Sequence, residues 1–481
     1  MVIFVLILLQ PTTADFTSAE RNMLAVAALM AIWWMTEALP LAVTSLLPLA
    51  LYPVLGIMRT SVVSPNYTNH LIFLFMGGFI IAIALQEWQL HRRFALHTIS
   101  LLGSNPRQLV LAFMLSTAVL SMWISNTATT IMMLPIGMAV IHQLRGNLHK
   151  ETPQENRFGT VLMLGIAYSA SIGGIATIIG TPPNVIFTGI YAKFFPFAPE
   201  ISFVRWMLMA LPLSALLFTV IWGYLSYVVL RKKDLPEIVD KQYFEEQRKS
   251  LQPLNSAQKL VLAIFLVTAF LWIFRADINF GVIRVPGWPT LIGLRGRIQD
   301  STIAMGMAIL LFIIPARHKG EKRALLKWNS LLELPWDILL LFGGGFALAD
   351  GIQSTGLANF LGHKLTFLGN MPLFIMLLLL SFSVALLTEF TSNTAVATTI
   401  LPVLGALAID LDINPLIIMF PATVAASCAF MLPVSTPPNA IVFGSRYIPI
   451  RRMVRIGIVL ILLASVIVAA YCYFLFHVFG F

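Results

Sequence analysis

The chain has 481 residues, of which 58% are hydrophobic and 11% charged, and 31 basic against 21 acidic residues leave a net charge of +10. Soluble domains carry about 25% charged residues, so this composition, with a mean hydropathy of +0.86, excludes a soluble fold and points to a single membrane domain over residues 1–481. The basic residues sit in short clusters between apolar runs, the pattern that orients membrane proteins rather than one that binds nucleic acid, and Cys428 and Cys472 lack metal-ligand spacing.

In chain order, the run Met1 to Leu9 has no preceding basic region and no small-residue cleavage site, so it reads as a short or truncated first span and not as a cleaved signal. Apolar spans follow at about 22–39, 41–58, 71–90, 158–179, 205–230, 257–275, 301–315, 335–352, 413–432 and 453–478, each bounded by Pro, Gly or charge. With the first run these make about eleven transmembrane helices of an all-α polytopic membrane protein, since about 20 apolar residues span a bilayer. Two further apolar stretches, about 107–143 and 371–409, are each interrupted midway by Ser-Asn-Thr.

The basic clusters test the crossings. They are His91-Arg92-Arg93 with Arg107, Arg145 with Lys150 and Arg157, Arg231-Lys232-Lys233, Arg317 to Arg323, and Arg446 with Arg451 and Arg452. If both interrupted stretches enter and leave by one face, every cluster is cytoplasmic; read as single spans, they scatter the later clusters to both sides. The charge map therefore predicts two re-entrant hairpins, the first opening to the cytoplasm and the second to the exterior, with the N-terminus inside and the C-terminus outside. The loop 276–300 breaks the pattern mildly, with Arg284, Arg295 and Arg297 on the external side. The mixed-charge stretch 231–256 reads as a solvated linker.

The sequence repeats itself. Leu74 to Phe79 matches Leu341 to Phe346 (341 − 74 = 267), Ser125-Asn126-Thr127 matches Ser392-Asn393-Thr394 (392 − 125 = 267), and Pro135 matches Pro402 (402 − 135 = 267). Thr181-Pro182-Pro183-Asn184 matches Thr436-Pro437-Pro438-Asn439 at 436 − 181 = 255, and the polar segment 145–157, absent from the second half, accounts for the twelve missing residues. The halves run about 22–230 and 257–478. Because the hairpins open to opposite faces the repeat is inverted, the architecture of secondary transporters with a midplane site.

Ser-Asn-Thr inside apolar sequence breaks a helix at membrane depth, which is tolerated only where the backbone is buried in protein or lines a wet cavity. Its oxygens suit a small hard cation, while its donors and the N-terminus of the following half-helix suit a carboxylate. Ser121 and Thr388 stand four residues before each tip serine, on the same helical face, and complete a plausible sodium cradle; helix packing is the plainer alternative. The paired prolines stop a helix and leave the carbonyls of Gly180 and Ser435 open beside Thr181 and Thr436. Glu37 and Glu389 read as structural acids and the glycine runs at 77–78 and 343–345 as sites of close helix approach. No nucleophile, zinc-ligand or paired-carboxylate set supports catalysis.

These paired motifs resemble the divalent anion/sodium symporter family over nearly the whole chain. The resemblance implies eleven helices, two re-entrant hairpins, a homodimer joined by scaffold domains and an elevator movement of a transport domain. It implies a first sodium site at Ser121, Ser125, Asn126 and the Gly180 carbonyl, and a second at Thr388, Ser392, Asn393 and the Ser435 carbonyl. Substrate carboxylates would meet Asn126, Thr127, Asn393 and Thr394, with Thr181, Pro182, Thr436 and Pro437 nearby. The chain departs from the family pattern at its short first span and at Ser435, which stands at a Gly-like position. The expectation is sodium-coupled symport of C4 dicarboxylates such as succinate, malate or fumarate across the inner membrane; the alternatives are a sodium-independent exchanger or a carrier of citrate or sulfate.

Overall fold

The computed structural model describes residues 1–13, 16–101, 105–144, 157–231, 251–279, 284–318 and 321–478. The segment 145–156 and the linker residues 232–250, with the basic residues Arg145, Lys150, Lys232 and Lys233, lie outside the described residues. What is described is mostly helical. Two short antiparallel ribbons, Ile278–Asn279 with Arg284–Val285 and Pro315–His318 with Glu321–Ala324, are the exceptions to an all-α reading among the described residues.

Helix starts follow local chemistry. Thr17 and Glu20 form a reciprocal capping box at the head of Ser18–Thr36, and Asn255 with Gln258 does the same for Ser256–Ile273, each satisfying amide protons that the first turn leaves unpaired. Asn105 caps Pro106–Ser121, with Pro106 at the position where a missing N–H costs nothing.

Among the described residues, six helices are long and apolar enough to cross a membrane, or seven if Trp336–Ser354 and Leu357–Leu365, bent by 82°, form one span. Several expected spans are shorter or broken. The first run is a helix of 7 residues, Val2–Leu8. The expected span 41–58 is two helices, Leu41–Thr44 and Leu47–Val54, parted at Ser45, whose carbonyl accepts from the Tyr67 hydroxyl at 2.5 Å and whose Oγ accepts from Trp34 Nε1 at 3.2 Å. The expected span 413–432 is helical only over Leu416–Ala426. At Ser45 and at residues 430–432, partners from distant sequence take up groups that a continuous helix would leave to its own turns.

Element starts keep the sequence offsets. Pro106–Ser121 and Leu373–Leu387 begin 373 − 106 = 267 residues apart, Asn126–Leu144 and Asn393–Asp410 393 − 126 = 267 apart, and Pro182–Phe194 and Pro437–Phe443 437 − 182 = 255 apart. The glycine runs sit at close crossings. A Cβ on Gly77 would lie 2.7 Å from the Ala304 backbone, and one on Gly344 2.6 Å from Ser45.

The ends are tied by ion pairs. Arg323 pairs with Glu87 at 2.6 Å and lies over the Trp88 ring. Arg275, buried, binds Asp300 and reaches Glu200 at 2.7 Å, while Asp300 also accepts the Phe203 amide at 2.9 Å. In the loop 276–300, whose charge was out of pattern, Arg295 pairs with Asp277 at 3.6 Å.

Candidate functional site

Each Ser-Asn-Thr lies at a helix break. Pro106–Ser121 ends, the chain turns through 122–125, and Asn126–Leu144 begins; Leu373–Leu387 ends and Asn393–Asp410 begins in the same way. The hydroxyl of Ser121 donates to the Ala170 carbonyl at 2.7 Å and lies 2.6 Å from the Asn126 side-chain amide. The hydroxyl of Thr388 faces Asn393 Oδ1 at 2.6 Å and the Ala426 carbonyl at 3.0 Å. One hydroxyl proton serves one acceptor at a time, so Thr388 satisfies only one of its two. At Asn126 the amide is satisfied with Nδ2 towards the cluster, where it donates to Ser121 Oγ at 2.6 Å, the Ala170 carbonyl at 3.0 Å and the Gly180 carbonyl at 3.3 Å.

Only glycine permits this approach. A Cβ on Gly174 would stand 2.5 Å from Asn126 Oδ1, and one on Gly180 would stand 2.4 Å from the Gly174 carbonyl oxygen. Gly174 therefore lets the helix Arg157–Ile175 lie directly against the first tip.

The two Thr-Pro-Pro-Asn motifs are built alike. Thr181 (φ −146°, ψ 144°) and Thr436 (φ −144°, ψ 149°) are extended caps, and the prolines open the helices that follow. Each motif asparagine is fully buried and caps the carbonyls of the preceding break. Asn184 Nδ2 donates to Gly174 at 3.0 Å and Thr177 at 2.7 Å, and Asn439 Nδ2 to Ala429 and Leu432, both at 3.2 Å. The reach is the same in each half (184 − 174 = 439 − 429 = 10; 184 − 177 = 439 − 432 = 7). Buried carbonyls without such a donor would be costly.

All four motifs meet at one cavity of about 690 Å³, within the range of small-molecule sites. Asn126, Thr127, Asn393, Thr394, Thr181, Pro182, Thr436 and Pro437 all line it, as do Ser125, Ser392, Gly180 and Ser435. Ser121 and Thr388 do not; they are buried beneath the tips, against the two asparagines. Phe75, Phe79, Leu341 and Phe390 supply apolar wall, which draws the Leu-Phe-x-Gly-Gly-Phe repeats into the site. Among the described lining residues there is no Arg, Lys or His, and Glu37 and Asp337 add two acids. Among the described residues no group of His, Cys, Asp and Glu could hold a metal ion; the tips present hydroxyl, amide and carbonyl groups.

The sequence pattern of the family described as "Sodium:sulfate symporter transmembrane region" matches residues 1–478. The chain belongs to this family. It is 41% identical over 476 residues to the "Sodium-dependent dicarboxylate transporter SdcS" of Staphylococcus saprophyticus, covering 98% of this chain and 89% of that protein. It is 40% identical over 475 residues to the protein of the same name from Staphylococcus aureus strain USA300, with the same coverage. Two solved structures share the fold. The Alcanivorax borkumensis YdaH transporter superposes with TM-score 0.56 at 14% identity, over 87% of this chain and 88% of that one. Neisseria gonorrhoeae MtrF does so with TM-score 0.56 at 10% identity, over 85% and 82%. The chain is thus a polytopic membrane transporter and not an enzyme.

In this family member the two breaks are not identical. Glu389, fully buried, accepts the amides of Phe430 at 2.5 Å, Met431 at 2.7 Å and Leu432 at 2.8 Å, and so holds the irregular stretch that faces the second tip. Its counterpart at 389 − 267 = 122 is Met122, whose carbonyl instead accepts the Thr177 hydroxyl at 2.5 Å. Glu37 ends the helix Ser18–Thr36 with φ 48°, a left-handed conformation, and lines the cavity as well. Ala170, Ala426, Asn184, Asn439 and Asp337 are the residues that sequence reasoning missed. The two asparagines were within reach, as members of a repeated motif; two carbonyls from alanine carry no residue signal.

Proposed function

We propose that the chain is a sodium-coupled symporter of C4 dicarboxylates such as succinate, malate or fumarate. The observation that carries this reading is the meeting of two matching oxygen-rich helix breaks in one cavity whose described lining has no basic side chain. A dianion entering such a site needs positive charge from elsewhere, and bound cations with helix N-terminal dipoles are what the tips can supply. The names of relatives 40–41% identical to the chain support both the sodium and the dicarboxylate.

One sodium is held by Ser121, Ser125, Asn126 and the Gly180 carbonyl, and the other by Thr388, Ser392, Asn393 and the Ser435 carbonyl, with the Ala170 and Ala426 carbonyls beside them. Each tip then serves one end of the substrate, through Asn126 and Thr127 or Asn393 and Thr394, with Thr181, Pro182, Thr436 and Pro437 forming the facing wall. Sodium neutralises charge that the lining does not, so substrate affinity and sodium occupancy are coupled.

The same reading takes the two breaks as re-entrant hairpins of an inverted repeat, 22–230 and 257–478, among eleven spans, with the N-terminus cytoplasmic and the C-terminus outside. A homodimer with an elevator movement of the hairpin-bearing domain completes it. The recurring offsets of the helix starts support the repeat.

Substrate class is read from competition. In proteoliposomes, uptake of labelled succinate is expected to be suppressed by excess malate or fumarate and left largely intact by citrate or sulfate. Suppression by sulfate alone would replace the dicarboxylate reading with an inorganic-anion carrier.

A further inference from the structure

The transport cavity is open at one end and shut at the other. Glu37, Asp337, Phe390 and Val434 line it and are exposed, which marks its mouth. In the other direction two helices leave it together, Pro182–Phe194 from the lining residue Pro182 and Trp336–Ser354 from the lining residue Leu341. Residues 183–191 and 341–349 are buried without a break. Between the helices Gly189 meets the Phe346 ring, into which a Cβ there would run. Past this crossing both chains come back to the surface, and Lys193 Nζ stands 3.4 Å from Asp350 Oδ2. At 1.5 Å per residue the pair lies about 16 Å beyond Pro182 and about 14 Å beyond Leu341, at the end opposite the mouth.

We propose that Lys193 and Asp350 form a latch that holds this end shut and parts when the cavity opens there, an inference that rests on the alternating movement proposed above. The pair joins the two halves of the chain. Lys193 is in the last turn of the helix that the first Thr-Pro-Pro-Asn opens, and Asp350 is on the helix that carries the second glycine run. The repeat does not reproduce it. The matching positions, 193 + 255 = 448 and 350 − 267 = 83, are Ile448 and Ile83, both buried. An ion pair that each half needed for folding would recur; one present at a single end biases the balance between two states.

The surroundings suit a contact that is made and broken. Asp350 also accepts from Asn66 Nδ2 at 3.0 Å, so it keeps a partner when Lys193 leaves. The lysine, partly exposed, exchanges the carboxylate for water, and a pair of this kind contributes little enough to open in every cycle. Seven residues on, Arg275 reaches Glu200 at 2.7 Å and Asp300 accepts the Phe203 amide at 2.9 Å, which clasps the stretch 193–203 a second time.

The test places a reporter thiol at the mouth, Val434→Cys, in the full-length chain, whose own Cys428 and Cys472 are buried. A membrane-impermeant maleimide is applied to one face or the other of sealed vesicles, and the ratio of the two labelling rates reads which end is open. Lys193→Met and Asp350→Asn are each expected to shift that ratio about fivefold towards the latched end. Lys193→Arg and the exchange Lys193→Asp/Asp350→Lys should restore the unlatched variants to the ratio of the parent chain. If the exchange does not fold, Lys193→Arg carries the rescue alone. A ratio unchanged in both single variants, or shifted equally in Lys193→Arg, would overturn the latch. The labelling needs neither sodium nor succinate, so an error in the substrate assignment shows in uptake and leaves this readout standing.

Discussion

Replacing Asn126 or Asn393 by alanine is expected to abolish substrate uptake while leaving the protein folded. Each asparagine lines the cavity and is at the same time the side chain against which Ser121 or Thr388 is hydrogen-bonded. On the proposed site assignment, loss of one amide removes a cation ligand and a substrate contact together. A hydrogen bond to a charged group contributes about 1.5–3 kcal/mol, so two lost together lower uptake on the order of a thousandfold at 1.4 kcal/mol per tenfold. The fold should survive, with some loss of stability in Asn126→Ala because that amide also reaches the Ala170 and Gly180 carbonyls. The aspartate variants separate the two roles. Asn126→Asp offers a cation a full carboxylate and repels a substrate carboxylate, so sodium should still raise the unfolding midpoint while uptake is lost. Uptake retained in Asn126→Ala, or sodium stabilisation lost in Asn126→Asp with the fold intact, would remove Asn126 from the site.

The opposite outcome is expected for Glu389→Ala, which should destabilise the protein itself. Glu389 accepts three consecutive amides, those of Phe430, Met431 and Leu432, in a fully buried position. An orphaned buried donor costs about 1–3 kcal/mol, so deletion of the carboxylate should cost roughly 3 kcal/mol or more, far above the usual effect of one substitution. Glu389→Gln keeps one acceptor oxygen and should fall between. Thermal unfolding in detergent reads both. An alanine variant as stable as wild type would show that the stretch 427–432 is held by something else.

These residues also mark how far the sequence could be read. Helix starts at 106, 126, 373 and 393 fall within about two residues of expectation, as helix boundaries read from pattern can, because apolar runs there begin at Asn, Pro or Ser-Asn-Thr signals whose chemistry is local. The cavity lining was legible for a related reason. Polar tripeptides and proline pairs stand out against an apolar background, and their repetition at 267 and 255 residues ties them to one another. The breaks in 41–58 and 413–432 were not legible, since Ser45 is held by Tyr67 and Trp34, and residues 430–432 by Glu389, some 41 residues away. Hydropathy has no term for a helix that ends because its amides have found a distant acceptor. The same limit hid Ala170 and Ala426, whose contribution is a carbonyl, and gave Asn184 and Asn439 no role until the carbonyls they cap were in view. Glu389 was read as a structural acid, and its three amide contacts are of that kind.

Glu37 and Asp337 give the cavity two acids beside the proposed substrate site. Their charge opposes an unaccompanied dianion and favours a cation entering with it, which ties the lining as a whole to coupling rather than to exchange of anions alone.

That coupling is tested most directly by uptake of labelled succinate into proteoliposomes containing the purified full-length chain, with and without an inward sodium gradient. The account predicts uptake with the gradient and little when potassium replaces sodium. Uptake equally fast in both conditions would contradict it.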